Sequence, residues 1–225
     1  MGGLFLGHIG VGFWLKKYIK GVSLGWLFFA ALFADLLWAL LIIMGVEKAA
    51  IVPGTTVVSA LVNVSFPLSH SFVSVIIFAA IVYIVAKRQL NDNQLNSRYS
   101  MLVFASAPVV HYLLDVVSHI PDLPLLPTPQ DGPLIGLGLW NFFLASLIVE
   151  NLIFIGGLYL YLRSSTSSSF VGKYGMVIYG AFMVFMGGSS YFSTFTLESL
   201  VVSSLLLNLF SVLAAFWLDS KREMV

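Results

Sequence analysis

The segment 109–119, VVHYLLDVVSH, puts two imidazoles and a carboxylate inside a long apolar run. On a helix, His111 and Asp115 are four apart and share a face, and His119 carries that stripe one turn further. A central Asp in an apolar helix costs about 2.5–3.5 kcal/mol on insertion scales, so ionisable groups there point to function and need an offset. The other two histidines, His8 and His70, also sit in or at the edge of apolar segments, and a second acid, Asp35, lies in another. No Lys or Arg lies within those spans to pair with the acids. A divalent metal is the simplest way to neutralise them. Neutral His nitrogen and carboxylate oxygen are the ligand set of catalytic zinc, and they also suit manganese or iron. Taken singly, a histidine in a membrane helix often only bonds a neighbouring carbonyl or hydroxyl, and a chain of Asp and His also serves as a proton relay in pumps. Four histidines and two unpaired acids in one layer favour the metal.

The elements that must position these residues are membrane helices. Of 225 residues, 59% are hydrophobic and 9% are charged, and the mean hydropathy is +0.98. An ordinary soluble domain has about 25% charged residues. A spanning helix needs about 20 mostly apolar residues. Six runs qualify or nearly do: 24–44, 67–86, 101–119, 137–162, 174–192 and 200–218. A seventh, 2–15, is short for a span and reads as a short helix, a re-entrant piece or an interfacial helix. It lacks a basic leader and a small-residue cleavage site, so a cleaved signal peptide is not expected. The expected fold class is all-α: a polytopic transmembrane helical bundle of six long helices plus a short N-terminal membrane segment. It forms one integral domain over 1–225. The net charge of +1 gives no nucleic-acid footprint. The absence of cysteine excludes disulfides and thiolate metal sites.

Lys and Arg set the orientation. Lys16, Lys17 and Lys20, then Lys87, Arg88 and Arg98, then Arg163 and Lys173, and finally Lys221 and Arg222 fall on alternate connections. That pattern puts the C-terminus in the cytoplasm, as expected for a multi-pass plasma-membrane protein, and residues 45–66, 120–136 and 193–199 outside. Asp35 and His111 then lie near mid-depth, and Asp115 further out. His119 is at the outer rim, and His70 starts its helix from the outer side. His8 joins them if 2–15 enters with its N-terminus outside. Segment 120–129, rich in proline, cannot be helical throughout and reads as a stiff, extended cover. Segment 49–66, with a Pro53-Gly54 turn signal, is expected at the membrane surface. The linkers 91–97 and 164–169 are polar.

The order Gly7-His8, then Phe33-Ala34-Asp35-Leu36-Leu37-Trp38, then Leu68-Ser69-His70-Ser71, then His111-x-x-x-Asp115 resembles a family. It is similar to the bacterial and archaeal membrane-bound metal-dependent hydrolases, which include the LexA-regulated inner-membrane hydrolase. In ligand order that family in turn resembles the zinc-dependent phospholipase C superfamily. The resemblance covers roughly residues 1–162, the metal-site core; 163–225 adds two C-terminal helices. It implies that Asp35, His70, His111 and Asp115 hold one metal, and that Asp115 bridges to a second that also binds His8. His119 falls where the superfamily begins its remaining site. No further His follows it, so one or two divalent ions, zinc first, are expected rather than three.

Glu150, the one acid left inside a later span, is open to four readings: a ligand, a partner orienting a His, a general base, or a protonated Glu bonded to a neighbour. Segment 136–141 either brings backbone close over the site, since Gly permits that, or only starts a helix with an interfacial Trp. Asp122 supports the site or forms a turn, and Ser69 and Ser71 face a substrate or cap a helix. The expected activity is hydrolysis, with metal-activated water and Asp35 or Glu150 taking its proton. A laterally open site in the outer leaflet suggests a lipid or lipid-linked substrate, and the resemblance implies a phosphoester. The rivals are a transporter or permease passing protons or metal ions along the Asp/His set, and a scaffold with a structural metal.

Overall fold

Ser23 and Gly45 bracket an apolar stretch of twenty residues, Leu24–Ile43. The Ser23 hydroxyl accepts the Gly25 amide at the start. Gly45 turns the chain away at the end with φ +71, a conformation that suits a residue without a Cβ. The computed structural model describes residues 5–89, 97–128 and 132–225. In order, its elements are α1 (Phe5–Lys16), α2 (Leu24–Ile43), β1 (Lys48–Ile51), β2 (Leu61–Ser65), α3 (Phe72–Gln89), α4 (Ser97–Ser118), β3 (Leu123–Pro124), β4 (Leu134–Ile135), a 3-10 turn (Leu139–Asn141), α5 (Phe143–Arg163), β5 (Ser165–Thr166), α6 (Phe170–Ser190), α7 (Leu197–Asp219) and β6 (Glu223–Met224).

The chain is a helical bundle, and the strands are three separate antiparallel pairs that tie connections together. Among the described residues five helices, α2 and α4 to α7, are long and apolar enough to cross a membrane. The apolar part of α3, Phe72–Lys87, is shorter, and α1 has 12 residues. Large apolar side chains such as Leu144, Ile148, Leu152 and Ile155 point outward along α5. An aqueous surface would not carry such a belt, and lipid accepts it. This is a helical membrane protein. The linker expected at 91–97 falls outside the described residues up to 96; Ser97 opens α4.

Helix α1 is apolar all round and is buried from Leu6 to Phe13, as expected of a helix held inside the bundle. Its closest neighbour is α5. A Cβ on Gly10 would stand 2.9 Å from the Ile153 carbonyl, and one on Gly157 2.7 Å from the Gly10 oxygen. Only glycine lets these backbones meet. Leu6, Ile9 and Phe13 then pack with Leu24, Phe28, Leu32, Phe154 and Tyr161.

One end of the bundle is closed by charge. Asp219 at the end of α7 accepts from the Leu24 amide at 2.8 Å and from the Tyr161 hydroxyl at 2.8 Å. It also pairs with the buried Lys16 at 3.2 Å. Arg222 donates to the Ser165 hydroxyl at 2.8 Å and to the Gly172 carbonyl. These contacts bring the C-terminal ends of α1, α5 and α7 together with the N-terminal ends of α2 and α6.

The opposite end is covered by irregular chain. The β1–β2 hairpin turns through Pro53 and Gly54, where φ is +86. The proline-rich stretch is non-helical, as its composition requires, but only Leu123 and Pro124 are extended, as β3 paired with β4; residues 125–128 bend instead, and Pro129 lies outside the described residues. Phe66 and Leu123 pack on Trp38, Ala39 and Val201. Gly136 lies against the Ile120 and His119 carbonyls so closely that a side chain there would collide with backbone, and the Gly138 amide donates to the His119 oxygen at 2.7 Å. Segment 136–138 therefore makes the close backbone approach beside the site.

Candidate metal centre

Four separate stretches deliver the site. Helix α1 brings His8 and α2 brings Asp35. The turn before α3 brings His70, and α4 with its C-terminal extension brings His111, Asp115 and His119. His70 does not start a helix, contrary to the reading of the 67–86 run. Helix α3 begins at Phe72, because Ser71 accepts the Ser74 amide at 3.2 Å and thereby fixes its first turn. His119 follows the last residue of α4, yet its amide still donates to the Asp115 carbonyl at 2.8 Å, so the expected stripe holds.

The carboxylate of Asp115 is the meeting point. Its Oδ2 lies 3.0 Å from His111 Nε2 and 3.8 Å from His70 Nε2. Its Oδ1 lies 3.2 Å from His8 Nε2 and 4.0 Å from His119 Nε2. Asp35 Oδ1 is 3.5 Å from His70 Nε2 and 3.9 Å from His111 Nε2. Two triads able to hold a cation result, His8–His111–Asp115 and Asp35–His70–His111, each with donor atoms within 4.8 Å of one another. They share His111. Among the described residues no Lys or Arg pairs with either acid.

Chemistry of the donors fits a cation. His8 Nε2, His111 Nε2 and Asp115 Oδ2 are buried and have no hydrogen-bond partner among the described residues, a costly state for polar atoms unless something else satisfies them. Three of the four rings also have their other nitrogen tied to oxygen. His111 Nδ1 is 2.6 Å from the Ala31 carbonyl, His70 Nδ1 2.8 Å from Ser69 Oγ, and His119 Nδ1 2.9 Å from Asp122 Oδ1. Metal-binding histidines are normally tied in this way, the second nitrogen donating so that the first keeps its lone pair. His8 differs. Its Nδ1 meets His111 Nδ1 at 2.7 Å, so at most one proton lies between them. The Ala31 carbonyl can only accept, which leaves that proton on His111. Buried His/Asp groups thus form a site able to hold a metal ion.

At the rim, Asn63 Nδ2 donates to Asp122 Oδ2 and sits beside His119 Nδ1, both at 3.4 Å, and Trp140 lies on the His119 ring at 4.1 Å between centroids. Burial works against a charged His119, but the Asp122 hydrogen bond and the charges of Asp115 and Asp122 outweigh it and raise its pKa above the ordinary value.

Glu150 is in neither triad. Its Oε1 accepts the Leu6 amide at 2.9 Å and its Oε2 accepts the Tyr191 hydroxyl at 2.6 Å. The N-terminus of α1 has orphan amides in an apolar setting, and Glu150 satisfies one of them across the bundle. Burial, with Glu150 alongside, raises the Tyr191 pKa. Two supporting residues had not been singled out from the sequence, Glu47 and Asn63. Glu47 is 1% exposed. In the sequence it stands beside Lys48 and resembles a surface pair, and nothing local marks its burial.

No protein-family model matches the chain, and neither a curated protein nor a solved structure does. The functional reading therefore rests on this geometry and its chemistry.

Proposed function

We propose that the chain is a membrane-embedded, metal-dependent hydrolase that cleaves a phosphoester bond in a lipid or lipid-linked substrate. One observation carries the reading: imidazole nitrogens from α1, the turn before α3, and α4 converge on Asp115, with unpartnered donor atoms at the centre. Asp35, His70, His111 and Asp115 would hold one cation. The other oxygen of Asp115, facing His8 and His119, would serve a second. Zinc suits this nitrogen and oxygen set best, and manganese or iron also fit. A bound cation of this kind lowers the pKa of its water from 15.7 to about 7 and polarises a phosphoryl oxygen.

Asp35 has the most accessible side chain of the set, 23% exposed against 1% for His111. It is the group that takes the proton from water. Glu150 has both oxygens engaged and serves α1 instead. Asp122 and the Ala31 carbonyl hold His119 and His111 in orientation. In this reading the C-terminus is cytoplasmic and the centre lies in the outer half of the plasma membrane; the distribution of Lys and Arg supports that orientation. A lipid phosphoester reaches such a depth without leaving the bilayer. The likeness to membrane-bound metal-dependent hydrolases points to the same bond.

The test is elemental analysis of the purified protein together with hydrolysis of bis(p-nitrophenyl) phosphate and of phospholipids in detergent. Stoichiometric metal and metal-dependent turnover are expected. Ion flux in liposomes without hydrolysis would replace this reading with a carrier.

A further inference from the structure

Glu47 is buried on the loop after α2, and its carboxylate hydrogen bonds run to the turn that carries His70. Its Oε1 accepts the amides of Leu68 at 2.8 Å and Ser69 at 2.9 Å, and its Oε2 accepts the Ser69 hydroxyl at 2.6 Å. The same hydroxyl oxygen lies 2.8 Å from His70 Nδ1. The direction of this chain follows from what each group can do. A carboxylate only accepts, so the Ser69 proton is committed to Glu47. The Ser69 oxygen is then left to accept, and the proton on His70 must sit on Nδ1. His70 Nε2 keeps its lone pair, and Nε2 is the atom that faces Asp35 and Asp115.

We propose that Glu47 is a positioning residue that sets the tautomer of His70 through Ser69 and so keeps Nε2 of His70 available to a divalent cation. The inference rests on the reading of His70 as a ligand. Glu47 itself touches neither cation nor substrate.

Glu47→Gln tests the direction of the chain without changing its shape. The Leu68 and Ser69 amides require an acceptor, so they hold the glutamine oxygen at the Oε1 position. Its NH2 then faces Ser69 and donates where Oε2 accepted. The Ser69 proton is released towards His70 Nδ1, and the His70 proton moves to Nε2, which blocks the ligand atom. Adding Ser69→Ala removes the hydroxyl that transmits this reversal and frees the ring.

The experiment is Co2+ titration of the purified, chelator-stripped protein and these variants, read by affinity and by the visible spectrum of the bound ion. Thermal unfolding without metal is measured in parallel. Loss of an outer partner of a metal-binding His typically weakens binding about 10- to 100-fold, and Glu47→Gln is expected in that range, with an altered spectrum. The double variant Glu47→Gln/Ser69→Ala is expected to bind more tightly than Glu47→Gln alone. A purely structural role cannot produce that recovery, because deleting a further hydrogen bond would only loosen the turn. Parent-like binding by Glu47→Gln, or weaker binding by the double variant than by Glu47→Gln, overturns the role of Glu47 and leaves the metal centre standing. Absence of Co2+ binding by the parent removes both.

Discussion

Asp115 Oδ2 lies 3.0 Å from Nε2 of His111, one helical turn earlier on α4, and neither atom has a hydrogen-bond partner among the described residues. A carboxylate and an imidazole that close would share a proton if their geometry allowed it. Buried in contact but without a hydrogen bond between them, they are arranged for a third party. Asp115 offers its second oxygen to His8 as well, and an amide cannot supply two equivalent anionic oxygens. Asp115→Asn is expected to purify with only trace metal, and elemental analysis against the parent decides it. Full metal content in a folded Asp115→Asn protein would remove Asp115 from the centre.

The long apolar runs revealed the helices because a bilayer imposes a length on them, and α2, α5 and α7 lie within a few residues of expectation apart from the 3-10 turn before α5. The start of α3 was not legible. Apolar residues flank Ser69-His70-Ser71 on both sides and leave the helix start open, while the turn there is held by the Ser69 amide donating to Glu47 and the Ser74 amide donating to Ser71. The site histidines stood out because polar side chains are rare in such helices. Their supports did not. The partners of Glu47 begin 21 residues away, and Glu150 finds the Leu6 amide 144 residues away. Neither pairing has a local pattern, so Glu150 reads equally well as a ligand, a partner orienting a His, a general base or a protonated Glu bonded to a neighbour.

Glu150 separates those readings by substitution. If it anchors α1, Glu150→Gln keeps an oxygen for the Leu6 amide and retains metal and turnover close to the parent. Glu150→Ala leaves a buried amide unsatisfied and costs roughly 1–3 kcal/mol of stability. Thermal unfolding and kcat measured on both variants check this. A general base would instead lose turnover in Glu150→Gln with stability unchanged.

Removal of metal is expected to loosen the fold as well as stop chemistry. A cation that binds only the folded state adds about 2.7 kcal/mol when present at 100 times its Kd. Chelator should therefore lower the thermal midpoint in detergent, and added Zn2+ should restore it. A midpoint indifferent to chelator, with metal shown to have left, would mean that the six polar side chains satisfy one another unaided.

Asp219 offers a control at the other end of the bundle. It serves Lys16, the Leu24 amide and the Tyr161 hydroxyl together. Removing one partner of a buried pair costs on the order of 3–5 kcal/mol. Asp219→Ala should lower the unfolding midpoint strongly, while the protein that remains folded keeps its metal stoichiometry. Loss of metal at temperatures where Asp219→Ala is still folded would show that this clasp is coupled to the centre.

The proposed sidedness rests on charge and is testable because the chain has no cysteine of its own. Val57, in the hairpin loop between β1 and β2, is 67% exposed. Lys173 is exposed near the start of α6, beside the clasp at the opposite end of the bundle. Basic connections stay in the cytoplasm, so an impermeant maleimide should label Val57→Cys in right-side-out vesicles and Lys173→Cys only after permeabilisation. The reverse pattern would turn the molecule over. The centre, which lies towards the hairpin end, would then open to the inner leaflet, and the lipid it meets would be a cytoplasmic-leaflet one.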